Sequence, residues 1–339
     1  MGIIKNEIPI LEFDTDREAV LSPTHDHFDL KLPEKCVFAF LGGYIEEYAA
    51  KVGAKQVSCF VNATKNYPVY VTEYKGEEIV LCQAPVGAAA AVQLLGWLIG
   101  YGVREIISAG SCGALEQLDE SVFLVPRKAL RDEGTSYHYA PPSRFIEIDE
   151  RARKAIEKTI LEHNLNYREV VTWSTDGFFR ETREKVEYRK SEGCSVVEME
   201  CSALAACASF RKATWGMILY TADCLANVDQ YDERNWGGNA YEYALALCLD
   251  AVLAISIPIH GGAAPKGVFY EKASAQAGDD AQEPAAIRVE LYKRQMRDKI
   301  NRLWSEWNHL SRIAGNRFSI FLYCNRRKEE ADPCKLKSR

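Results

Sequence analysis

The residues of this chain best suited to chemistry are acids set at the ends of apolar runs. Val196-Val197-Glu198-Met199-Glu200 is a short apolar run that stops at two carboxylates and continues as a helix of small residues, Cys201-Ser202-Ala203-Leu204. Further on, Ile218-Leu219-Tyr220-Thr221-Ala222-Asp223 reads as a buried strand ending on a lone acid. In an open α/β sheet, ligands sit beyond the carboxyl ends of the strands, so both acids are expected to face one crevice. Carboxyls gathered there suit proton transfer at a bound ligand, which points to an enzyme. For Asp223 the alternative is a helix N-cap following the strand.

Three other segments carry polar groups just past apolar runs. Gly110-Ser111-Cys112-Gly113-Ala114 would let backbone N–H groups approach an anion, with a hydroxyl as an added donor. Arg131-Asp132-Glu133-Gly134-Thr135-Ser136-Tyr137-His138-Tyr139-Ala140-Pro141-Pro142 is a dense polar and aromatic loop of the kind that serves binding. Ser174-Thr175-Asp176-Gly177-Phe178-Phe179-Arg180 places two aromatics beyond another strand end, where Phe178 would cover a planar ring or pack in the core.

The elements that must position these residues alternate. Strands are expected at 37–41, 69–74, 78–83, 105–109, 122–125, 170–174 and 216–221, and helices at 44–52, 88–101, 149–164, 201–211 and 239–255. Lys75-Gly76 turns a hairpin, and Gly110 to Gly113 closes the strand from Glu105 as a loop. This pattern predicts an α/β fold in three layers, a central mixed but mainly parallel sheet flanked by helices.

Composition limits the function classes. The chain has 339 residues, 47% hydrophobic and 27% charged, with a formal net charge of -6, the profile of a soluble globular protein with no electrostatic footprint for nucleic acid. Glu7, Glu12, Asp14 and Asp16 deny the N-terminus the basic start of a signal peptide, and no apolar stretch is long enough to span a bilayer. None of the eleven cysteines forms a C-x-x-C pair, so buried thiols in a reducing cytoplasm are expected, with no metal site. The domain reading is an arm over residues 1–33, a main domain over 34–255, a Gly, Ala and Pro-rich linker over 256–284, and a basic tail over 285–339. In the tail Val289, Tyr292, Met296, Ile300, Leu303, Trp307 and Leu310 form the apolar stripe of one helix.

Gly110 to Ala114, Val197-Glu198-Met199-Glu200 and Ala222-Asp223, in that order and spacing, resemble the superfamily of nucleoside phosphorylases and nucleosidases, from Val37 to Ile255. The Arg131 to Pro142 loop looks most like a uridine phosphorylase segment. The resemblance implies cleavage of an N-ribosidic bond, with phosphate as co-substrate and no metal or organic cofactor. It implies that Glu200 holds the ribose hydroxyls, Met199 packs on the sugar, Glu198 orients the loop, Phe178 meets the base and Asp223 protonates a purine at N7. Gly42, Gly110, Ser111 and Arg131 would hold phosphate. Lys65 falls where a neighbouring subunit lends an arginine, and His25 or His27 would be lent to the ribose 5′-hydroxyl. A cytoplasmic homo-oligomer built from dimers is implied.

Two positions depart from the phosphorylase pattern. The first phosphate loop here is Gly42-Gly43-Tyr44-Ile45-Glu46, with Glu46 in the place of an arginine, and Ser108 stands where a second arginine is expected. Arginine's fork has no equal substitute at a phosphate. Phosphorolysis of a purine nucleoside leads, ahead of a uridine substrate; hydrolysis by water and a non-catalytic nucleoside-binding module stay open.

Overall fold

A computed structural model describes residues 2–118, 122–224 and 240–255. The chain divides into two compact units, Met1–Gly262 and Ala263–Arg339, and the described residues all belong to the first. The expected linker and basic tail lie outside the described residues.

Among the described residues ten strands form one sheet. They are β1 (Lys35–Ala39), β2 (Lys55–Val61), β3 (Asn66–Tyr74), β4 (Glu77–Gln83), β5 (Glu105–Ala114), β6 (Phe123–Asp132), β7 (Phe145–Glu147), β8 (Tyr167–Thr175), β9 (Val196–Glu198) and β10 (Thr214–Cys224). Six α-helices accompany them among the described residues: α1 (Tyr44–Val52), α2 (Ala88–Gly100), α3 (Glu150–Glu162), α4 (Arg183–Ser191), α5 (Cys201–Phe210) and α6 (Tyr241–Ala254). The strand order is β10-β6-β8-β9-β5-β1-β4-β3-β2, with β10 also paired to β5, so five of the strands close into a ring. β5 is the branch point. Its first residues pair with β1, its last with β9, and its whole length with β10. The pairings of β1 with β4 and β5, of β5 with β10, and of β8 with β6 and β9 are parallel, while β2, β3 and β7 add antiparallel edges.

Successive strand residues enter opposite cores, as the period of two requires when both faces are covered. Cys36, Phe38 and Ile106 pack with α2 and α5, whereas Val37, Ala39 and Ile107 pack with α3 and α6. α2 and α5 consist almost wholly of small or apolar residues and are buried nearly all round. α3 begins where the Asp149 carboxylate accepts from the N–H groups of Arg151 (2.9 Å) and Ala152 (3.1 Å). Among the described residues no helix is long and apolar enough to cross a membrane.

The structure differs from the sequence expectation in specific places. Gly110 to Gly113 is not a loop. It continues β5, because β10 on one side and Val196 and Val197 of β9 on the other keep that backbone extended. Arg131 and Asp132 likewise end β6 rather than open a loop, held by β8. β2 and α4 had no counterpart in the expectation; β2 is an edge strand with no fully buried position and α4 is strongly polar.

α3 lies close on β10 at Gly216, where an added Cβ would stand 2.8 Å from the Ala152 Cβ and 3.0 Å from the Ile156 Cδ1. Gly216→Ala is therefore expected to cost about 1–3 kcal/mol through overpacking. A thermal melt reads this as a fall of several degrees, and an unchanged midpoint would mean that α3 yields freely.

Candidate active site

Glu198 closes β9 and Glu200 is the residue from which α5 starts; both are buried, at 6% and 5% exposure. Glu200 occupies the N-cap position of α5, yet its side chain makes no capping bond. The helix head is satisfied from elsewhere. The Glu198 Oε2 accepts from the N–H groups of Glu200 (2.7 Å) and Cys201 (2.6 Å), and the Ser174 Oγ accepts from the N–H of Ser202 (2.9 Å). The other Glu198 oxygen accepts from the hydroxyls of Ser174 (2.6 Å) and Thr172 (3.1 Å). Glu200 is thereby released to point elsewhere, and its Oε1 accepts from the N–H of Gly87 at 2.5 Å.

Burial pushes both carboxyls above the ordinary range. Four donors surround Glu198, so it is the better host for negative charge. Glu200 has burial against it and the neighbouring Glu198 charge as a second cause, which together push it up to about 8. A carboxyl held this way is mainly protonated at neutral pH and gives up its proton within reach of it, a condition that suits acid–base and hydroxyl-binding work.

Both acids line a cleft of ≈ 370 Å³, a size suited to a small organic ligand. Met199, Phe178, Gly42, Gly110 and Ser111 line it too, so most of the residues singled out from sequence meet in one place. Gly110 serves there by close approach, since a Cβ on it would come within 3.0 Å of the Met217 Cε and 3.4 Å of the Phe40 Cβ, two further lining residues. Ala222 also lines the cleft, and Asp223 pairs by its backbone with Gly113, itself a lining residue. The side chain of Asp223 lies outside what the structure describes.

Other expected residues lie apart from the lining. Arg131 is buried, and its guanidinium donates to the Ser136 Oγ (2.9 Å), the carbonyls of Pro141 (2.7 Å) and Ala140 (3.0 Å), and the Ser143 Oγ (2.8 Å). It binds its own loop. Lys65 is exposed and stands behind the lining, its Nζ donating to the Gln83 Oε1 at 2.7 Å, and Gln83 faces the cleft. His25 is exposed in the N-terminal arm, with its Nδ1 2.9 Å from the Ser22 carbonyl. Glu46 sits in the first turn of α1, and Ser108 is buried with its Oγ accepting from the Trp215 indole at 3.0 Å.

Sequence reasoning passed over Gln83, Glu181, Tyr241 and the Gly87 N–H. Gly87 left a trace, a glycine at the N-cap of α2 four residues past the strand that ends at Gln83, with a φ of +97° that favours glycine. The others follow no local pattern.

The raised Glu200 carboxyl carries a stability consequence. Between the ordinary glutamate value of 4.5 and about 8, the folded chain binds more protons at this group than the unfolded chain does. Its contribution is thus fully present below the unfolded value and is lost as pH rises through the folded one. Glu200→Gln copies the protonated form, so its thermal midpoint should overtake the parent's between pH 6 and pH 9, by ~2–4 °C for each kcal/mol relieved. Parallel melting curves for the two proteins across that range would refute the assignment.

The chain matches the Phosphorylase superfamily over residues 35–254. It is 26% identical over 167 residues to a purine nucleoside phosphorylase of the DeoD type from Bacillus cereus, covering 47% of this chain and 68% of that protein. The chain spans about two thirds of the length of the curated relatives it matches. Among solved structures, uridine phosphorylase from Vibrio fischeri superposes with a TM-score of 0.56 at 22% identity, covering 66% of this chain and 95% of that one. AMP nucleosidase from Bacteroides thetaiotaomicron gives 0.54 at 22% identity, with 66% and 89% covered. The matched span contains every strand and every helix described above, and the chain belongs to the phosphorylase superfamily.

Proposed function

We propose that this protein cleaves the N-ribosidic bond of a nucleoside, with phosphate as the attacking group and a purine as the preferred base. The observation that carries the reading is the Glu200 carboxyl, buried at the wall of the cleft and freed from capping its own helix. Breaking the C–N bond leaves positive charge on the ribose and sends the bonding electrons to the base. In its ionised form Glu200 accepts from the ribose hydroxyls and steadies that positive charge, and Met199 packs against the sugar. Phe178, at 42% exposure beside the cleft, covers the base. Asp223 returns a proton to the purine N7. Phosphate enters along Gly42, Gly110 and Ser111 and forms the new bond to C1′. Lys65 and a histidine of the arm serve the sites of an adjoining copy in a cytoplasmic homo-oligomer. The Bacillus cereus relative supports a purine phosphorylase reading.

A second reading, hydrolysis by water, has its own observation. Among the described residues that line the cleft there is no lysine or arginine, while Glu181, Glu198 and Glu200 are all acids. A phosphate dianion meets no bidentate partner there.

Base release from inosine, adenosine and uridine, followed with and without phosphate, separates the readings: release that requires phosphate and favours the purines is expected, and release indifferent to phosphate makes water the acceptor. Glu200→Ala should lower kcat/KM by ~10²–10³-fold, the scale of losing one preorganised charge-stabilising group. Asp223→Asn should cost ~10²–10⁴-fold on purines, the range of general acid assistance. Wild-type rates in both variants would remove these roles.

A further inference from the structure

A buried hydrogen-bond chain runs from the Arg131 to Tyr139 segment, through Ser202, Ser174 and Glu198, to the backbone N–H of Glu200. Arg131 fastens Ser136 through its Oγ, at 2.9 Å. The Glu133 carboxylate, 5% exposed, accepts from the N–H groups of Thr135 (2.6 Å) and Ser136 (2.9 Å) through Oε2. Its other oxygen, Oε1, accepts from the Ser202 hydroxyl at 2.8 Å. Ser202 is fully buried in the first turn of α5, and its N–H donates to the Ser174 Oγ, which donates in turn to Glu198. Arg131, Ser174 and Glu198 stand in one row across β6, β8 and β9, so the chain crosses three strands without a gap.

We propose that the buried Ser202–Glu133 hydrogen bond is a positioning device for the sugar site: it locks the head of α5 to the 133–136 turn and so fixes where Glu200 stands in the cleft. The proposal rests on the assignment of Glu200 to the ribose hydroxyls. Two features separate it from ordinary packing. A carboxylate is an expensive group to bury, and here every donor it receives comes from the turn or from α5. Ser202 is held through both its N–H and its hydroxyl, by β8 and by the turn, which fixes the first turn of α5 in translation and in rotation. Glu200, the residue from which that helix starts, can then shift only if one of these buried bonds breaks. Neither Ser202 nor Glu133 lines the cleft, so both act through Glu200 rather than on a ligand.

The test uses the full chain with Ser202→Ala, Glu133→Gln and the double variant, with Ser202→Thr as the change that keeps the hydroxyl. Two quantities are read: KM and kcat for inosine, and the titration midpoint of the Glu200 carboxyl by ¹³C NMR, assigned through its loss in Glu200→Gln. Each single change should raise KM roughly tenfold with kcat little altered, and the double variant should be no worse than the larger single, as expected for residues acting as one unit. The Glu200 midpoint should fall by roughly half a unit or more as the loosened helix head admits water. Ser202→Thr should restore both quantities. A merely structural bond would lower the melting temperature and leave KM and the midpoint at parent values, and that result in folded variants overturns the proposal. If Ser202→Ala does not fold, Glu133→Gln, which keeps the shape of the side chain, decides alone. If the parent cleaves no nucleoside, the functional reading fails by itself and the NMR midpoint still decides the positioning role.

Discussion

Two carboxyls separated by a single residue, both taken out of water, are the constraint on which the site depends. Neighbouring buried charges of like sign repel strongly, and the arrangement persists because one of them is surrounded by donors. Glu198 receives two backbone N–H groups and two hydroxyls, and in receiving them it performs the capping that Glu200 would otherwise owe to α5. Division of labour follows from geometry alone. One acid is spent on structure, and the other is left facing a cavity with its proton affinity raised. The fold supplies the means by bringing β8 and β9 together in register, so that Ser174 stands opposite Glu198.

The cleft's other wall shows how a strand can replace a loop. Gly110 and Gly113 keep the backbone in the ladder of β5, and Gly110 lacks the Cβ that would crowd Phe40 and Met217. Ser111 still reaches the cleft from this extended chain. A rigid strand edge holds such groups more firmly than a mobile turn does, which matters where a ligand must be met in one geometry.

Much of this was legible in the residue order. α1 is bracketed by Gly42-Gly43 and by Gly53 at φ +69°, and its limits follow from those neighbours. The acids at 198 and 200, the small-residue helix after them and the aromatic at 178 were all marked by sitting past apolar runs. What escaped was set by distant partners. Nothing near Gly110 announces that β10 will hold it extended, or that β9 will do the same for Gly113. Arg131 has the composition of an anion ligand, and only the carbonyls of Ala140 and Pro141 decide that it serves its own loop. Polar elements such as α4, and an edge strand such as β2, lack the buried stripe that makes periodicity visible.

The closure of the ring at β5 also has a bearing on synthesis. On its β10 side Glu105 finds its parallel partner only at Thr214, so β5 is made long before the strand that completes it. Until then a nascent chain carries an apolar strand with one side unpaired, the state most prone to stick to its neighbours. Pairing between such remote segments is also slow to form, because the intervening chain must first be ordered. The centre of this sheet is therefore completed last, although its first strand is made early, and until then that waiting strand has to be kept from its neighbours.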